Sequence, residues 1–329
     1  MGEFELLALL RKGLPTAGPR LVLGSGDDAA ITVPGGAVAT SVDALIEGVH
    51  FRRETASLRQ IGRKALSTAL SDLAAMGAEA GEAYVVLGAP EGMSEGELLE
   101  LGEGMAAVAS ETGTAIAGGD LTRAPVLTLA VTVTGHAARA EDFVTRGGAR
   151  EGDVLVVTGE LGGAAAGLLL LEDPSLPGDD TLRDRQLDPT PLLAAGRALA
   201  AAGATAMIDI SDGLAGDANH VAVASDALLR IDADALPIAP GVAALAAAAD
   251  RDALELAGSG GEDYELFAAL PPEAVADARS ALAALDIRLT AVGQVESAGD
   301  AGPRAEIRRR GGEALPSRGF DQLRPRKPR

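Results

Sequence analysis

Six short acidic clusters, each beside glycine or at the end of an apolar run, constrain this chain more than any other feature. They read Gly26-Asp27-Asp28, Ser41-Val42-Asp43, Ser71-Asp72-Leu73, Gly118-Gly119-Asp120, Asp209-Ile210-Ser211-Asp212-Gly213 and Gly260-Gly261-Glu262-Asp263. A carboxylate is a hard oxygen donor, and a neighbouring glycine permits a tight turn and a close approach of backbone to phosphate. Carboxylates gathered by folding repel one another unless a cation sits among them. The pattern therefore points to magnesium and a polyphosphate.

Composition narrows the field. At 329 residues, 47% of them hydrophobic, the chain is long enough for two globular domains. It has no cysteine, which excludes disulfides, zinc thiolates and thiol nucleophiles and makes a reducing cytoplasm the natural setting. Residues 1–10 carry two glutamates and no basic run ahead of an apolar one, so nothing there resembles a signal peptide. No apolar stretch reaches membrane-spanning length, and the run 168–171 is cut off by Glu172 and Asp173. The net charge of −20 argues against nucleic acid and anionic lipid as partners, and 2% aromatic residues leave little for stacking on single strands. Such a surface also repels ATP unless metal intervenes. Lys12, Lys64 and Lys327 are the only lysines, so arginine and metal must supply most positive charge. The basic tail 324–329 reads as a solvated terminus.

The apolar spacing predicts a mixed α/β protein in two domains, residues 1–141 and 142–329. Strands are expected at 38–41, 83–87, 114–117 and 126–134, with Asp43 and Asp120 at strand ends. Helices are expected at 58–76 and, behind a Ser94/Glu97 capping box, to about residue 112. The polar segment 142–153 reads as the junction. Beyond it come a strand at 154–158, a helix at 161–171, a surface loop at 172–191, a helix at 191–202 and a strand at 206–210. A helix capped by Ser211 follows, then strands at 228–232 and 264–270, a helix at 272–285 and a strand at 289–295.

Each motif has a plainer reading. Gly24-Ser25-Gly26-Asp27-Asp28-Ala29 fits a loose dinucleotide pattern, but Ile31-Thr32-Val33-Pro34 after it is β-like, so an acidic hairpin turn suits it better. There is no P-loop motif, no protein-kinase motif set and no nucleophile elbow. Asp72 stands in a helix among Leu70, Leu73 and Ala74, where a buried carboxylate needs a partner or a metal. His50, His136 and His220 lack companions at metal spacing. Arg123 and Arg146 are candidate phosphate grips, Arg146 the better because glycines follow it.

Taken in order, the motifs resemble the thiamine-monophosphate kinase family. They include Gly26-Asp27-Asp28-Ala29-Ala30, Ser41-Val42-Asp43, Glu47-Gly48-Val49-His50-Phe51, Leu70-Ser71-Asp72-Leu73-Ala74-Ala75-Met76-Gly77-Ala78 and Gly118-Gly119-Asp120-Leu121-Thr122-Arg123. Ile208-Asp209-Ile210-Ser211-Asp212-Gly213-Leu214 and Ser259-Gly260-Gly261-Glu262-Asp263-Tyr264-Glu265-Leu266 complete the series. The match is collinear from Gly2-Glu3-Phe4 to Gly319-Phe320-Asp321. The resemblance implies the two-domain aminoimidazole-ribonucleotide-synthetase-like fold with mixed sheets. It implies an N-terminal domain that binds ATP and metal and pairs with its mate in a homodimer, and a C-terminal domain that completes the active site. The implied activity is magnesium-assisted transfer of the ATP γ-phosphoryl group to thiamine monophosphate. By position, Asp28, Ser41, Val42, Asp43, Asp72, Asp120, Asp209 and Asp212 would hold magnesium. Asp43, Asp120 and Asp209 would be the most critical. Gly119, Asp120, Arg146 and Ser211 would contact ATP, and His50, Glu262 and Phe320 thiamine monophosphate. Val42 stands where the family usually has threonine, which is harmless if the metal takes its carbonyl and costs one ligand if the metal takes a hydroxyl. Phe320 stands where tyrosine or tryptophan is common and keeps the stacking face.

The chemistry agrees with this without a general base, because the nucleophile is a phosphate oxygen already ionised at neutral pH. The task is to bring two anions together, by direct in-line transfer with no phosphoenzyme. Glycines beside the acids would let backbone N–H groups approach phosphate. The rival readings are another ATP-dependent enzyme of the same superfamily, a purine-precursor synthetase or hydrogenase-maturation factor, and a nonenzymatic nucleotide- or metal-binding regulator.

Overall fold

The computed structural model describes residues 10, 12–14, 18–23 and 29–315. The acids Asp27 and Asp28 and the aromatic Phe320 lie outside the described residues. Two compact units emerge, one of Met1–Phe143 with Leu187–Leu193, the other of Val144–Gln186 with Ala194–Arg329.

In the N-terminal unit, β1 (Leu21–Leu23) and β2 (Ile31–Thr32) form a small antiparallel pair. A four-stranded mixed sheet follows, built from β3 (Ala37–Ile46), β4 (Glu79–Ala89), β5 (Ala115–Arg123) and β6 (Thr128–Ala137) in the order β3-β6-β4-β5. Only β4 and β5 run parallel. Helices α1 (Leu58–Ala75) and α2 (Glu95–Thr112) supply the apolar cover. Each starts with a reciprocal capping box, Ser57 with Gln60 and Ser94 with Glu97, which satisfies otherwise orphaned amides. Leu58, Ile61, Ala65, Leu66, Ala69, Leu70 and Leu73 of α1 recur at helical spacing and are all buried. The two helices touch through glycine. A Cβ on Gly62 would stand 2.0 Å from the Leu101 carbonyl oxygen, and one on Gly104 2.0 Å from that of Arg59. Any larger residue at either place would force the helices apart.

Residues along β6 alternate between the two faces of the sheet. Leu129, Val131 and Val133 are fully buried, while Ala130, Thr132 and Thr134 between them are partly exposed. One face is therefore covered and the other open. Val38, Val42 and Val86 stand on the open side, 42%, 66% and 45% exposed.

The C-terminal unit is a six-stranded mixed sheet. Its strands are β7 (Val154–Thr158), β8 (Ala206–Asp209), β9 (Ala227–Asp232), β10 (Leu266–Leu270), β11 (Leu289–Ser297) and β12 (Arg304–Arg308), in the order β12-β9-β11-β7-β10-β8. Around it in sequence lie α3 (Gly163–Glu172), α4 (Asp180–Leu187), α5 (Leu193–Ala201), α6 (Leu214–Ser225), α7 (Val242–Ala248), α8 (Ala253–Ser259) and α9 (Val275–Ala283). Leu155, Val157, Ile208, Leu214, Val221, Leu229, Ile231 and Phe267 share its main core. Burying a side chain such as that of Phe267, which is wholly enclosed, contributes ~2 kcal/mol.

Four expectations need correction. The strand begun at 114–117 does not stop at Gly118-Gly119-Asp120, because β5 continues to Arg123 with Leu121, Thr122 and Arg123 paired to Leu87, Gly88 and Ala89. Asp43 likewise lies inside β3 rather than at its end, since Ala44, Leu45 and Ile46 pair on with Ala130, Leu129 and Thr128. The expected loop 172–191 contains α4, whose Leu182 and Gln186 are buried one helical turn apart. Finally, α6 begins after Gly213 with no side-chain cap, so Ser211 does not cap it.

Candidate active site

In the N-terminal unit, strand alternation sorts the acids. Ser41 and Asp43 are two residues apart on β3 and share a face. The Ser41 hydroxyl donates to an Asp72 carboxylate oxygen on α1, joining two clusters that are 31 residues apart in sequence. The nearer Asp43 oxygen accepts the Ala44 amide at 2.7 Å. Asp120 is placed differently. The row Asp43–Val131–Val85–Gly119 crosses the sheet, and Asp120 belongs to the next row, with Val86, Ala130 and Ala44. Adjacent rows face opposite ways, so Asp120 lies on the far edge strand and on the open face. Val42 is on that face too, where its two methyl groups leave only the backbone carbonyl as a donor. Gly119, in the Asp43 row, is required by packing, since a Cβ would sit 2.0 Å from the Val85 carbonyl oxygen. His50 is in the turn after β3, its Nδ1 accepting the Ile46 amide at 3.1 Å. The turn is braced by Glu47, which takes the Arg53 guanidinium at 2.6 Å and the Leu127 amide at 3.0 Å.

In the C-terminal unit a second acidic group forms at the end of β8. Asp209 is buried in that strand, and Ser211 and Asp212 follow in the turn before α6. Asp217, from the first turns of α6, reaches back. One of its carboxylate oxygens accepts both the Ser211 amide at 3.0 Å and the Asp212 amide at 3.1 Å. Burial, reinforced by the like charges of Asp209 and Asp212, pushes the Asp217 carboxyl up to about 8. The amides of Ser211 and Asp212 are thus occupied and do not face phosphate. A phosphate at this turn would meet the side chains of Ser211 and Asp212 rather than their amides.

The loop 260–264 runs beside this turn. The Glu262 amide donates to the Ser211 carbonyl at 2.8 Å, and the Tyr264 amide to that of Ile210 at 2.9 Å. The Glu262 backbone is left-handed, with φ +66°. Its carboxylate receives the Gln186 side-chain amide at 2.5 Å. Asp263 is turned to a structural task, accepting the Gly162 amide at 2.7 Å and the Ala164 amide at 3.0 Å where α3 begins. Burial pushes the Asp263 carboxyl up to about 7, against the pull of those two amides. Glu265 is raised by burial as well, despite the Thr158 hydroxyl at 2.6 Å. Arg146 stands exposed in the loop leading to β7, which Ser225 pins through the Gly148 and Ala149 amides at 3.1 Å.

Asp217, Gln186 and Asp263 were not singled out as individual contributors by the sequence. Asp217 had one available signal, an acid in the first turns of an apolar helix between Ala215 and Ala218. Among the described residues, no three histidine, aspartate or glutamate side chains are already gathered as a metal cage. The donor chemistry nonetheless fits magnesium, which commonly takes one or two carboxylates and completes its shell with water and substrate phosphate. Ser41, Asp43 and Asp72 offer hard oxygens of that kind in one unit, and Asp209 and Asp212 in the other. No described helix is long and apolar enough to cross a membrane.

Both units match known family models. Residues 26–137 match the AIR synthase related protein, N-terminal domain, and residues 150–305 its C-terminal domain. A thiamine-monophosphate kinase from Mycobacterium tuberculosis is 39% identical over 286 residues, covering 82% of this chain and 80% of that protein. The crystal structure of thiamine-monophosphate kinase from Stenotrophomonas maltophilia K279a superposes with a TM-score of 0.84 at 34% identity, over 96% of this chain and 98% of that one. The structure of AaThiL complexed with AMPPCP and TMP gives a TM-score of 0.77 at 27% identity, over 98% and 97%. By these matches the chain belongs to the AIR synthase related family and, within it, to the thiamine-monophosphate kinases.

Proposed function

We propose that this chain transfers the γ-phosphoryl group of ATP to thiamine monophosphate, giving thiamine diphosphate. The observation that carries the reading is the likeness to thiamine-monophosphate kinases, which runs through both units and takes in the acidic motifs of each. In the N-terminal unit, Asp43, Asp72 and Asp120, with Asp28, the Ser41 hydroxyl and the Val42 carbonyl, would hold magnesium. In the C-terminal unit Asp209 and Asp212 would do so. Magnesium bound there would neutralise phosphate charge and help align donor and acceptor.

The chain's own residues do the rest. Gly119, Asp120, Arg146 and Ser211 are the residues assigned to ATP. The Arg146 guanidinium offers a fork that matches phosphate oxygens. His50, Glu262 and Phe320 contact thiamine monophosphate, with Gln186 fixing the Glu262 carboxylate. No side chain has to remove a proton, because the attacking oxygen belongs to an ionised phosphate. Transfer is direct, and no residue becomes phosphorylated. The open face of the four-stranded sheet supports a homodimer, since pairing through it would cover Val38, Val42 and Val86. The absence of cysteine supports a cytoplasmic setting.

The deciding assay follows ADP from ATP and magnesium, with and without thiamine monophosphate. Release that depends on the acceptor, with thiamine diphosphate as product, is expected. Acceptor-independent release, or binding without turnover, overturns the reading. Isolation of a phosphorylated protein that passes its label to thiamine monophosphate would overturn direct transfer.

A further inference from the structure

We infer that Asp217 is a positioning residue for this reaction, its carboxylate setting the turn from which Ser211 and Asp212 present their side chains. The inference rests on the roles proposed above for those two residues. It begins from a place where a charge is costly. Asp217 is 2% exposed, with Leu214, Ala218 and Val221 of the same helix buried in the main core. An apolar side chain would fill that place without the cost of desolvating a carboxylate. Such a side chain would also leave the Ser211 and Asp212 amides without their acceptor.

The turn is clamped from two sides. Asp217 receives both amides on one oxygen, at 3.0 and 3.1 Å, while the Ser211 carbonyl receives the Glu262 amide at 2.8 Å. The Asp217 amide in turn donates to the Gly213 carbonyl at 3.0 Å, so the residue that holds the turn is fixed to its last member. The N-cap Gly213 offers α6 no side-chain cap, and Asp217 ties the first turn of the helix to the two residues just before that cap. Its hydrogen bonds go to the backbone amides of Ser211 and Asp212, so it fixes the turn rather than either side chain. Because a single oxygen does the work, a neutral side chain with one well-placed carbonyl oxygen can replace it.

The test compares Asp217→Asn and Asp217→Ala in the full-length protein. It measures kcat, the KM for ATP, the KM for thiamine monophosphate and the half-saturating magnesium concentration. Asp217→Asn keeps an acceptor and should stay within about threefold of the parent in every constant. Asp217→Ala should raise the KM for ATP and the magnesium requirement by about tenfold or more, with a smaller change in the KM for thiamine monophosphate. A merely structural residue would lower the melting temperature of both variants and leave the constants of the folded enzyme alone. Parent-like ATP and magnesium constants in Asp217→Ala overturn the inference. So does a tenfold loss in Asp217→Asn, which would mean that charge and not the acceptor matters. If Asp217→Ala fails to fold, the Asn variant decides by the same threshold. A parent enzyme inert toward thiamine monophosphate would instead defeat the proposed function, a separate and recognisable outcome.

Discussion

The two units handle negative charge differently. In the N-terminal unit, Glu111 takes the Arg63 guanidinium, Asp142 takes that of Arg139 and Glu97 accepts from Ser94, and each carboxyl lies below its ordinary value. Glu47 does the same against its burial, through Arg53 and the Leu127 amide. In the C-terminal unit Asp217, Asp263 and Glu265 are all raised, with burial the leading cause in each. That unit also has lowered acids, such as Glu306 among Arg304 and Arg308, but away from the turn 209–213. The difference teaches where each unit stores instability. Both pair arginines with acids near the surface. The C-terminal unit in addition encloses acids that favour a proton, the condition in which an added cation has most to offer.

The largest expected effect tests whether both acid sets belong to the reaction while differing in stability. Asp43→Asn and Asp209→Asn should each lower kcat by about a thousandfold. Their metal-free melting temperatures should diverge. Asn at 43 retains an acceptor for the Ala44 amide and should leave stability near that of the parent. Asn at 209 removes a like charge acting on Asp217 and should raise it. Parent-like turnover in either variant would remove that residue from the metal site, and a shared drop in melting temperature would erase the contrast between the units.

Next in size is the response to ligand. Magnesium with a nonhydrolysable ATP analogue should raise the melting temperature by several degrees, a shift of about 2–4 kcal/mol at saturating ligand, and chelation should reverse it. Asp209→Asn should reduce the shift. A full shift in that variant would place the ligand's stabilising contacts elsewhere.

Much of this architecture could be read from the residues. Helices α1 and α2 were legible to within a residue or two because the apolar residues of α1 recur at helical spacing and Ser94 with Glu97 opens α2. The strand β7 was equally clear, a five-residue apolar run closed by glycine. The extension of β5 was hidden because Gly118-Gly119 looked like a turn, whereas Gly119 is a site of close strand approach. Helix α4 was hidden by its charges, with prolines on both sides of it. The site was legible as a set of acids but not as a geometry. Which acids share a face depends on strand register, and register separates Asp43 from Asp120. The service of Asp217 and Gln186 depends on contacts that no local spacing encodes.

A smaller effect concerns pH. The Asp263 carboxyl moves from an ordinary 3.8 to about 7 in the folded chain. Below about pH 4 it is protonated whether the chain is folded or not, and it leaves the balance unchanged. Between about 4 and 7 the unfolded chain gives up the proton and the folded chain keeps it, so rising pH favours unfolding. Above about 7 both forms are ionised and the loss levels off. The paired acids of the N-terminal unit act at the other end, their contribution fading only as the solution becomes acidic enough to protonate them. Melting temperature should therefore decline from pH 5 to pH 8. Asp263→Asn should lower it overall, because one of two amides loses its acceptor, and should flatten the decline. An unchanged slope would take Asp263 out of the titration.

The smallest effect belongs to the pairing strategy itself. Arg63 holds Glu111 at 2.9 Å and Asp188 at 2.6 Å, linking α1 to α2 and to the segment Leu187–Leu193 that joins this unit. The Glu111 side chain is 56% exposed, so water and salt already screen most of its attraction. Glu111→Gln should therefore cost less than about 1 kcal/mol, and the cost should shrink further in 1 M salt. Asp188 is the less exposed partner, at 32%, and it anchors a returning segment. Asp188→Asn should be the more damaging change and the less salt-sensitive. Equal, salt-erased losses in the two variants would show that the returning segment is held by apolar contacts and that Arg63 contributes only surface charge.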